Sequence, residues 1–194
     1  MLILLIRHGE TDWNTARRLQ GREDIPLNER GIRQAEACAE ALRSIHADVA
    51  VTSPLLRAKE TCRIIAGAMG CREILVDPDL IERDFGAESG VPQTDIFAKA
   101  MEDGPDMEPL DAVGERMEQA LLRIARGRSG IAVAVSHRGA INMLFGRLAR
   151  NAEGPGHIPL KNTCVSIFRA EEGRLRLLAP NLTAEQAAGL LMRT

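Results

Sequence analysis

Arginine and histidine adjoin twice in this 194-residue chain, at Arg7-His8 and at His137-Arg138. Each pair follows a short apolar run, LILLI (residues 2–6) in the first case and IAVAVS (131–136) in the second. Two further runs also lead to polar residues: DVAVT (48–52) to Ser53, Pro54 and Arg57, and EILV (73–76), a few residues on, to Glu82 and Arg83. Taken singly, a histidine after a strand is most simply a hydrogen-bonding residue and an arginine a surface charge. Two imidazoles and at least two guanidiniums in one small volume are different, because they repel one another unless they share an anion. A phosphoryl group fits that demand. Its loose transition state spreads charge over three oxygens, which bidentate arginines and helix N-terminal amides can stabilise without a metal. An imidazole can attack phosphorus when one ring nitrogen has a lone pair and a carbonyl holds the other as N–H. Other phosphate and metal motifs are missing from the sequence: GxxxxGK[ST], GxGxxG after a strand, HExxH, and an Asp-rich strand end for Mg²⁺. A metal shared by His8 and His137 would be opposed by the flanking arginines.

These residues can meet only if the strand ends share one rim, so the elements must supply that geometry. Besides the four runs above, CVSIF (164–168) and LRLL (175–178) read as strands. Between the runs, apolar residues recur at helical spacing. The sets are Ile32, Ala35, Cys38, Leu42 and Ile45; Ala58, Cys62, Ile65 and Met69; Val113, Met117, Leu121 and Ile124; and Ile141, Leu144, Phe145 and Leu148. Near-continuous apolar strands separated by amphipathic helices predict an α/β fold, a three-layer, mostly parallel sheet with helices on both faces. The last two strands, joined by the turn-like EEG at 171–173, predict an antiparallel edge hairpin near the C-terminus. Ser53 and Pro54 read as the N-cap and first-turn residues of the helix that carries Arg57. In such sheets ligands bind beyond the carboxyl ends of the strands, where helix N-termini point their N–H groups.

Length and 45% hydrophobic content suit a single domain over residues 1–194, with a short excursion at about 87–111 where Gly and Pro recur. That excursion carries Glu88, Asp95, Glu102, Asp103, Asp106, Glu108 and Asp111 against one base, Lys99. A formal net charge of -2 gives no bias toward nucleic acid or an anionic membrane. MLILLI is too short for a signal-peptide core, and no stretch approaches the ~20 apolar residues of a membrane span. Cys38, Cys62, Cys71 and Cys164 lack CxxC or metal-ligand spacing and read as reduced, buried thiols, so a cytoplasmic location is expected.

LIRHGETDWNTARRLQGREDIPLNERGIRQA (5–35), TSPLLRAKETC (52–62), LIERDFGAESG (80–90) and AVSHRGAIN (134–142) resemble the signature segments of the histidine phosphatase superfamily, the phosphoglycerate-mutase-like family. They occur in the family's order and extend weakly to Asn162. The resemblance implies that His8 is the nucleophile that becomes phosphohistidine. It implies that Arg7 and Arg57 clamp the phosphoryl oxygens and that His137 donates a further hydrogen bond. Glu82 would be the acid for the leaving alkoxide and then the base for water, which calls for partial burial and a raised pKa. Glu88 is the rival carboxylate, but the L-x-E-R-x-x-G pattern aligns on Glu82. Asn14 and Gln20, with Gly21, belong to the W-N and L-Q-G parts of the motif and would complete the phosphate and substrate site. Arg138 stands where the family usually has Gly, and would either crowd the phosphate or add a positive contact near the leaving group.

The expected activity is metal-independent hydrolysis of a phosphomonoester, with no cofactor and a small phosphorylated metabolite as partner. The short excursion favours hydrolysis over mutase transfer, and its acids suggest a neutral, cationic or partly apolar alcohol. Phosphoglycerate mutase-type transfer, phosphoprotein hydrolysis and a non-catalytic phosphate-binding regulator are the other readings, and a homodimer is compatible with the sequence.

Overall fold

The computed structural model describes residues 1–150 and 157–193. In chain order its elements are β1 (Leu2–Arg7), α1 (Asp12–Thr15), α2 (Glu29–Leu42), β2 (Val49–Thr52), α3 (Leu56–Ala68), β3 (Ile74–Val76), α4 (Ile96–Lys99), α5 (Leu110–Ala125), β4 (Ile131–Ser136), α6 (Arg138–Ala149), β5 (Val165–Glu171), β6 (Arg174–Leu182) and α7 (Ala184–Leu191). The strands form one six-stranded sheet in the order β3-β2-β4-β1-β5-β6. β1, β4, β2 and β3 pair in parallel, whereas β5 runs antiparallel to β1 and β6 to β5. The mostly parallel sheet and the antiparallel edge hairpin both match the sequence pattern.

β1 shows why that pattern works. Its side chains alternate between two apolar layers, and Ile3 to Ile6 are all fully buried. Ile3 and Leu5 pack with α5 and α6, while Leu4 and Ile6 pack with α2, α3 and α7. Burying a side chain of this size contributes on the order of 1.5–3 kcal/mol, so slipping the strand by one residue to expose that layer is costly. The register is therefore firm. It sets Arg7 beside Ser136 across β1 and β4, and the next residues on each strand are His8 and His137. On the far side of β4, Thr52 pairs with Val135, and Ser53 donates its N–H to the Val135 carbonyl. Three strand ends thus reach one rim at one level.

Two details depart from the sequence reading. Ser53 does not cap α3: Leu55 occupies the N-cap position with extended backbone, and the Leu56 N–H is met by Asp24 Oδ1 at 2.6 Å. The Ser53 side chain is held by His137 instead, as described below. α7 lies outside the predicted helices, yet a capping box from Thr183 and Gln186 starts it and Ala184, Ala187 and Ala188 bury its inner face.

Candidate active site

His8 leaves β1 with its N–H bonded to the Ser136 carbonyl at 3.0 Å. Its Nδ1 lies 2.6 Å from the Gly9 carbonyl oxygen. A carbonyl only accepts, so the proton sits on Nδ1 and the lone pair on Nε2. Burial, followed by the charges of Arg57 and Arg7, pushes the ring well below the ordinary histidine range, so it stays neutral. Polar groups from distant segments fix the turn that carries it. Gly9 N–H donates to Thr61 Oγ1, Glu10 N–H to Gln34 Oε1, and Asn162 Nδ2 to the His8 carbonyl at 3.0 Å.

The two deep arginines are positioned by different means. Arg57 is fully buried on α3 and donates from Nη1 to the Glu23 carbonyl, from Nη2 to the Gly21 carbonyl and from Nε to His137 Nδ1. Because that Nδ1 must accept, the proton of His137 is on Nε2, which reaches Ser53 Oγ at 2.7 Å. Burial first, then Arg57 and His8, lowers the His137 pKa well below the ordinary value. The two imidazole centroids are 5.1 Å apart. Arg7 gives Nη1 to the Leu160 carbonyl, while its Nε is buried without a partner. Burial lowers each guanidinium to about 10, with neighbouring Arg138 the next cause for Arg7. A buried, unpartnered guanidinium nitrogen beside a neutral imidazole is a donor suited to an anion.

Glu82 is buried at the N-terminus of α6. One carboxylate oxygen accepts from Gly139 N–H at 3.1 Å, and the other from Ala140 N–H at 2.8 Å and Arg83 N–H at 2.9 Å. The helix terminus expected to face phosphate therefore holds this carboxylate. Arg116 secures the preceding backbone by donating to the carbonyls of Asp79, Ile81 and Glu82. Glu88, the rival, faces away and pairs with Lys99 and Gln93.

Arg7, His8, Asn14, Gln20, Arg57, Glu82 and Arg138 together line one small polar cleft, with Arg18, Leu19, Phe85, Ala100 and Gly139 completing its wall. Asn14 uses Oδ1 to accept from Thr11 N–H, and Gln20 has a buried Oε1 without a partner. His137 and Gly21 stand behind this wall: His137 holds Arg57 Nε, and Gly21, at φ +49°, aims its carbonyl at Arg57 Nη2. A β-carbon on Gly21 would come within 2.8 Å of Ser89 Oγ.

Asp95 of the excursion acts on Arg138 in the cleft wall, but several of its other acids are turned elsewhere. Asp103 pairs with buried Arg83, Glu108 with Arg116 and Arg22, Glu102 with Lys99, and Asp111 with Arg150. None of these carboxylates lines the cleft, to which the excursion contributes Ala100. Thr61, Gln34 and Asn162 are supporting residues to which sequence reasoning assigned no role, and Ser53 was read there only as a helix cap. Ser53, Thr61 and Gln34 lie within the quoted motifs and Asn162 at the weak end of the resemblance, which was their only signal of a part in the site.

The histidine phosphatase superfamily (branch 1) matches residues 3–183, and the chain belongs to that family. An uncharacterized phosphatase, PhoE, of Bacillus subtilis (strain 168) is 34% identical over 184 residues, covering 94% of this chain and 95% of the relative. A probable phosphoglycerate mutase of Enterobacter sp. (strain 638) is 35% identical over 188 residues, covering 88% and 85%. Among solved structures, a mycobacterial glucosyl-3-phosphoglycerate phosphatase complexed with VO3 superposes with a TM-score of 0.80 at 26% identity, covering 93% of this chain and 99% of the other. The chain is a phosphoric monoester hydrolase of this family. Among the described residues, no helix is long and apolar enough to cross a membrane.

Proposed function

We propose that the chain hydrolyses a small phosphomonoester by two successive displacements at phosphorus. Nε2 of His8 attacks as the bond to the leaving oxygen breaks, and Glu82 delivers a proton to that oxygen. A water then gives its proton to Glu82 and attacks the phosphohistidine, releasing inorganic phosphate and restoring neutral His8. Arg7 and Arg57 stabilise the equatorial oxygens, and Asn14 Nδ2 and Gln20 are positioned to add polar contacts. His137 orients the Arg57 fork through Nδ1 and keeps Nε2–H as a donor. Gly21 acts one step further back, through its carbonyl on Arg57. Guanidiniums supply the positive charge, so turnover needs no metal.

The observation that carries this reading is the 2.6 Å contact from His8 Nδ1 to the Gly9 carbonyl inside a cluster of arginines. It leaves a nucleophilic nitrogen where an anion is attracted. The phosphatases among the relatives support hydrolysis over transfer between two hydroxyls. The test is phosphate release from phenyl phosphate with a chelator present. The wild-type chain should turn over fully, and His8→Ala should lose at least about 10³-fold in kcat. Turnover retained in His8→Ala, or lost to the chelator and restored by Mg²⁺, would contradict the mechanism.

A further inference from the structure

The two peptide units that follow His8 are each held at both ends. In the first, the His8 carbonyl accepts from Asn162 Nδ2 at 3.0 Å and the Gly9 N–H donates to Thr61 Oγ1 at 3.0 Å. In the second, the Gly9 carbonyl accepts from His8 Nδ1 at 2.6 Å and the Glu10 N–H donates to Gln34 Oε1 at 2.9 Å. A trans peptide is planar, with its C=O and N–H pointing in opposite directions. The acceptor that fixes the Glu10 N–H therefore fixes the direction of the Gly9 carbonyl as well. An N–H only donates, so the oxygen of the Gln34 amide is the atom that faces it. Helix α2 brings Gln34 there. Its N-terminus packs on the backbone of the same turn: Asn28 N–H donates to the Glu10 carbonyl at 3.0 Å, and a β-carbon on Gly31 would collide with that carbonyl oxygen. Gln34 follows Gly31 by three residues and lies on the same face of the helix. Gly9 has no side chain to restrict rotation of the second unit, so the brace comes from outside the turn.

We propose that Gln34 is a positioning residue that sets the tautomer of His8, acting through the peptide unit between Gly9 and Glu10. The assignment rests on the phosphatase reading above, in which Nε2 of His8 is the nucleophile. With the Gly9 carbonyl in place, the His8 proton is on Nδ1 and the lone pair on Nε2. If the unit rotates, an N–H replaces the carbonyl and Nδ1 must accept. The proton then passes from Nδ1 to Nε2, the ring stays neutral, and Nε2 has no lone pair to attack with. Removing the Gln34 oxygen takes away the partner of the Glu10 N–H and with it the force that opposes this rotation. Gln34 is not among the described residues that line the cleft, so the substitution leaves Arg7 and Arg57 in place to bind the phosphoryl group.

Two variants separate this role from a merely structural one: Gln34→Met removes the acceptor, and Gln34→Glu keeps one. Nitrogen-15 NMR of the labelled chain in mildly alkaline buffer reads the tautomer directly, because protonated and bare imidazole nitrogens resonate far apart. The His8 signals are those lost in His8→Gln, and His137, with its proton on Nε2, is the internal reference. Wild type and Gln34→Glu should carry the His8 proton on Nδ1, and Gln34→Met should carry it predominantly on Nε2. With phenyl phosphate, kcat of Gln34→Met should fall by about 10- to 100-fold, while KM and inhibition by inorganic phosphate stay within about 3-fold of wild type. Gln34→Glu should recover most of that kcat. Circular dichroism checks that each variant is folded, and Gln34→Ala replaces the methionine variant if that one is not. An unchanged His8 tautomer in the folded variant, a loss confined to KM, or an equal loss of kcat in Gln34→Glu overturns the assignment. A wild-type His8 protonated on Nε2 overturns the nucleophile of the phosphatase reading and this assignment with it. Absence of hydrolysis by wild type with the proton on Nδ1 overturns the phosphatase reading, and the tautomer comparison then decides the role of Gln34 separately.

Discussion

Burial and the two deep arginines together keep His8 unprotonated, and each contribution can be separated by substitution. Arg57 is the largest charge acting against the imidazolium, ahead of Arg7. Removing it by Arg57→Gln lets the His8 pKa rise from its lowered value toward the ordinary 6.5 or so. Protonated His8 has no lone pair to attack with. The acid limb of kcat/KM should therefore move to higher pH in the variant, beneath a general loss of at least about 10²-fold from the missing phosphoryl contact. A pH profile of phenyl phosphate hydrolysis reads both effects, and a limb that stays in place would show that the field of Arg57 does not govern His8. At this scale the side chains that the structure brings together were legible in the sequence. Arg7, His8 and His137 are unusual residues to find at strand ends, with Arg57 and Glu82 a few residues beyond two others, and their grouping carried chemical meaning. Their supports were not legible. Ser53, Gln34 and Asn162 are common polar residues whose roles arise from contacts spanning 84, 24 and 154 positions along the chain.

The α6 N-terminus couples an element to the carboxylate proposed as the proton donor. Two of its N–H groups hold Glu82, and a β-carbon placed on Gly139 would lie 2.6 Å from Glu82 Oε1. The clash is with the end of a side chain, so Gly139→Ala should shift Glu82 and leave the helix standing. Stability should fall by about 1–3 kcal/mol, since the shifted carboxylate gives up hydrogen bonds to the backbone of α6. Turnover of alkyl phosphates, which need a proton on the leaving oxygen, should fall by about 10- to 100-fold, and that of nitrophenyl phosphate far less. Equal losses for both esters would count against this placement of Glu82. The strands and the four long helices were legible as elements because their apolar periods are clean. α7 was not, because its buried face is made of alanines, whose spacing carries little hydrophobic contrast. The start of α3 was misplaced because Asp24, far from it in sequence, supplies the oxygen that Ser53 would otherwise have offered. The excursion's acids were legible as a cluster, but their arginine and lysine partners come from several separate elements.

Over the whole molecule, two fully buried histidines held neutral tie folding to pH. The unfolded chain protonates them near 6.5, whereas the folded chain resists until well below that value. Unfolding therefore takes up protons, and stability falls as pH drops through 6.5 toward the lowered folded values. Each such group can add a slope of up to about 1.4 kcal/mol per pH unit in that window. Urea midpoints at pH 7, 6 and 5 should fall in one cooperative transition, and His8→Ala should flatten the dependence. An unchanged slope would mean that His8 is not held neutral by the fold. The central claim concerns the covalent state of the whole chain during turnover. A rapidly quenched reaction with an aryl phosphate, followed by intact-protein mass spectrometry and peptide mapping, reads that state most directly. The account predicts one added phosphoryl group, on His8, formed in a burst, labile to acid, stable to alkali and absent in His8→Ala. Rapid turnover with no phosphorylated chain at any quench time, together with inversion of configuration at phosphorus, would contradict it.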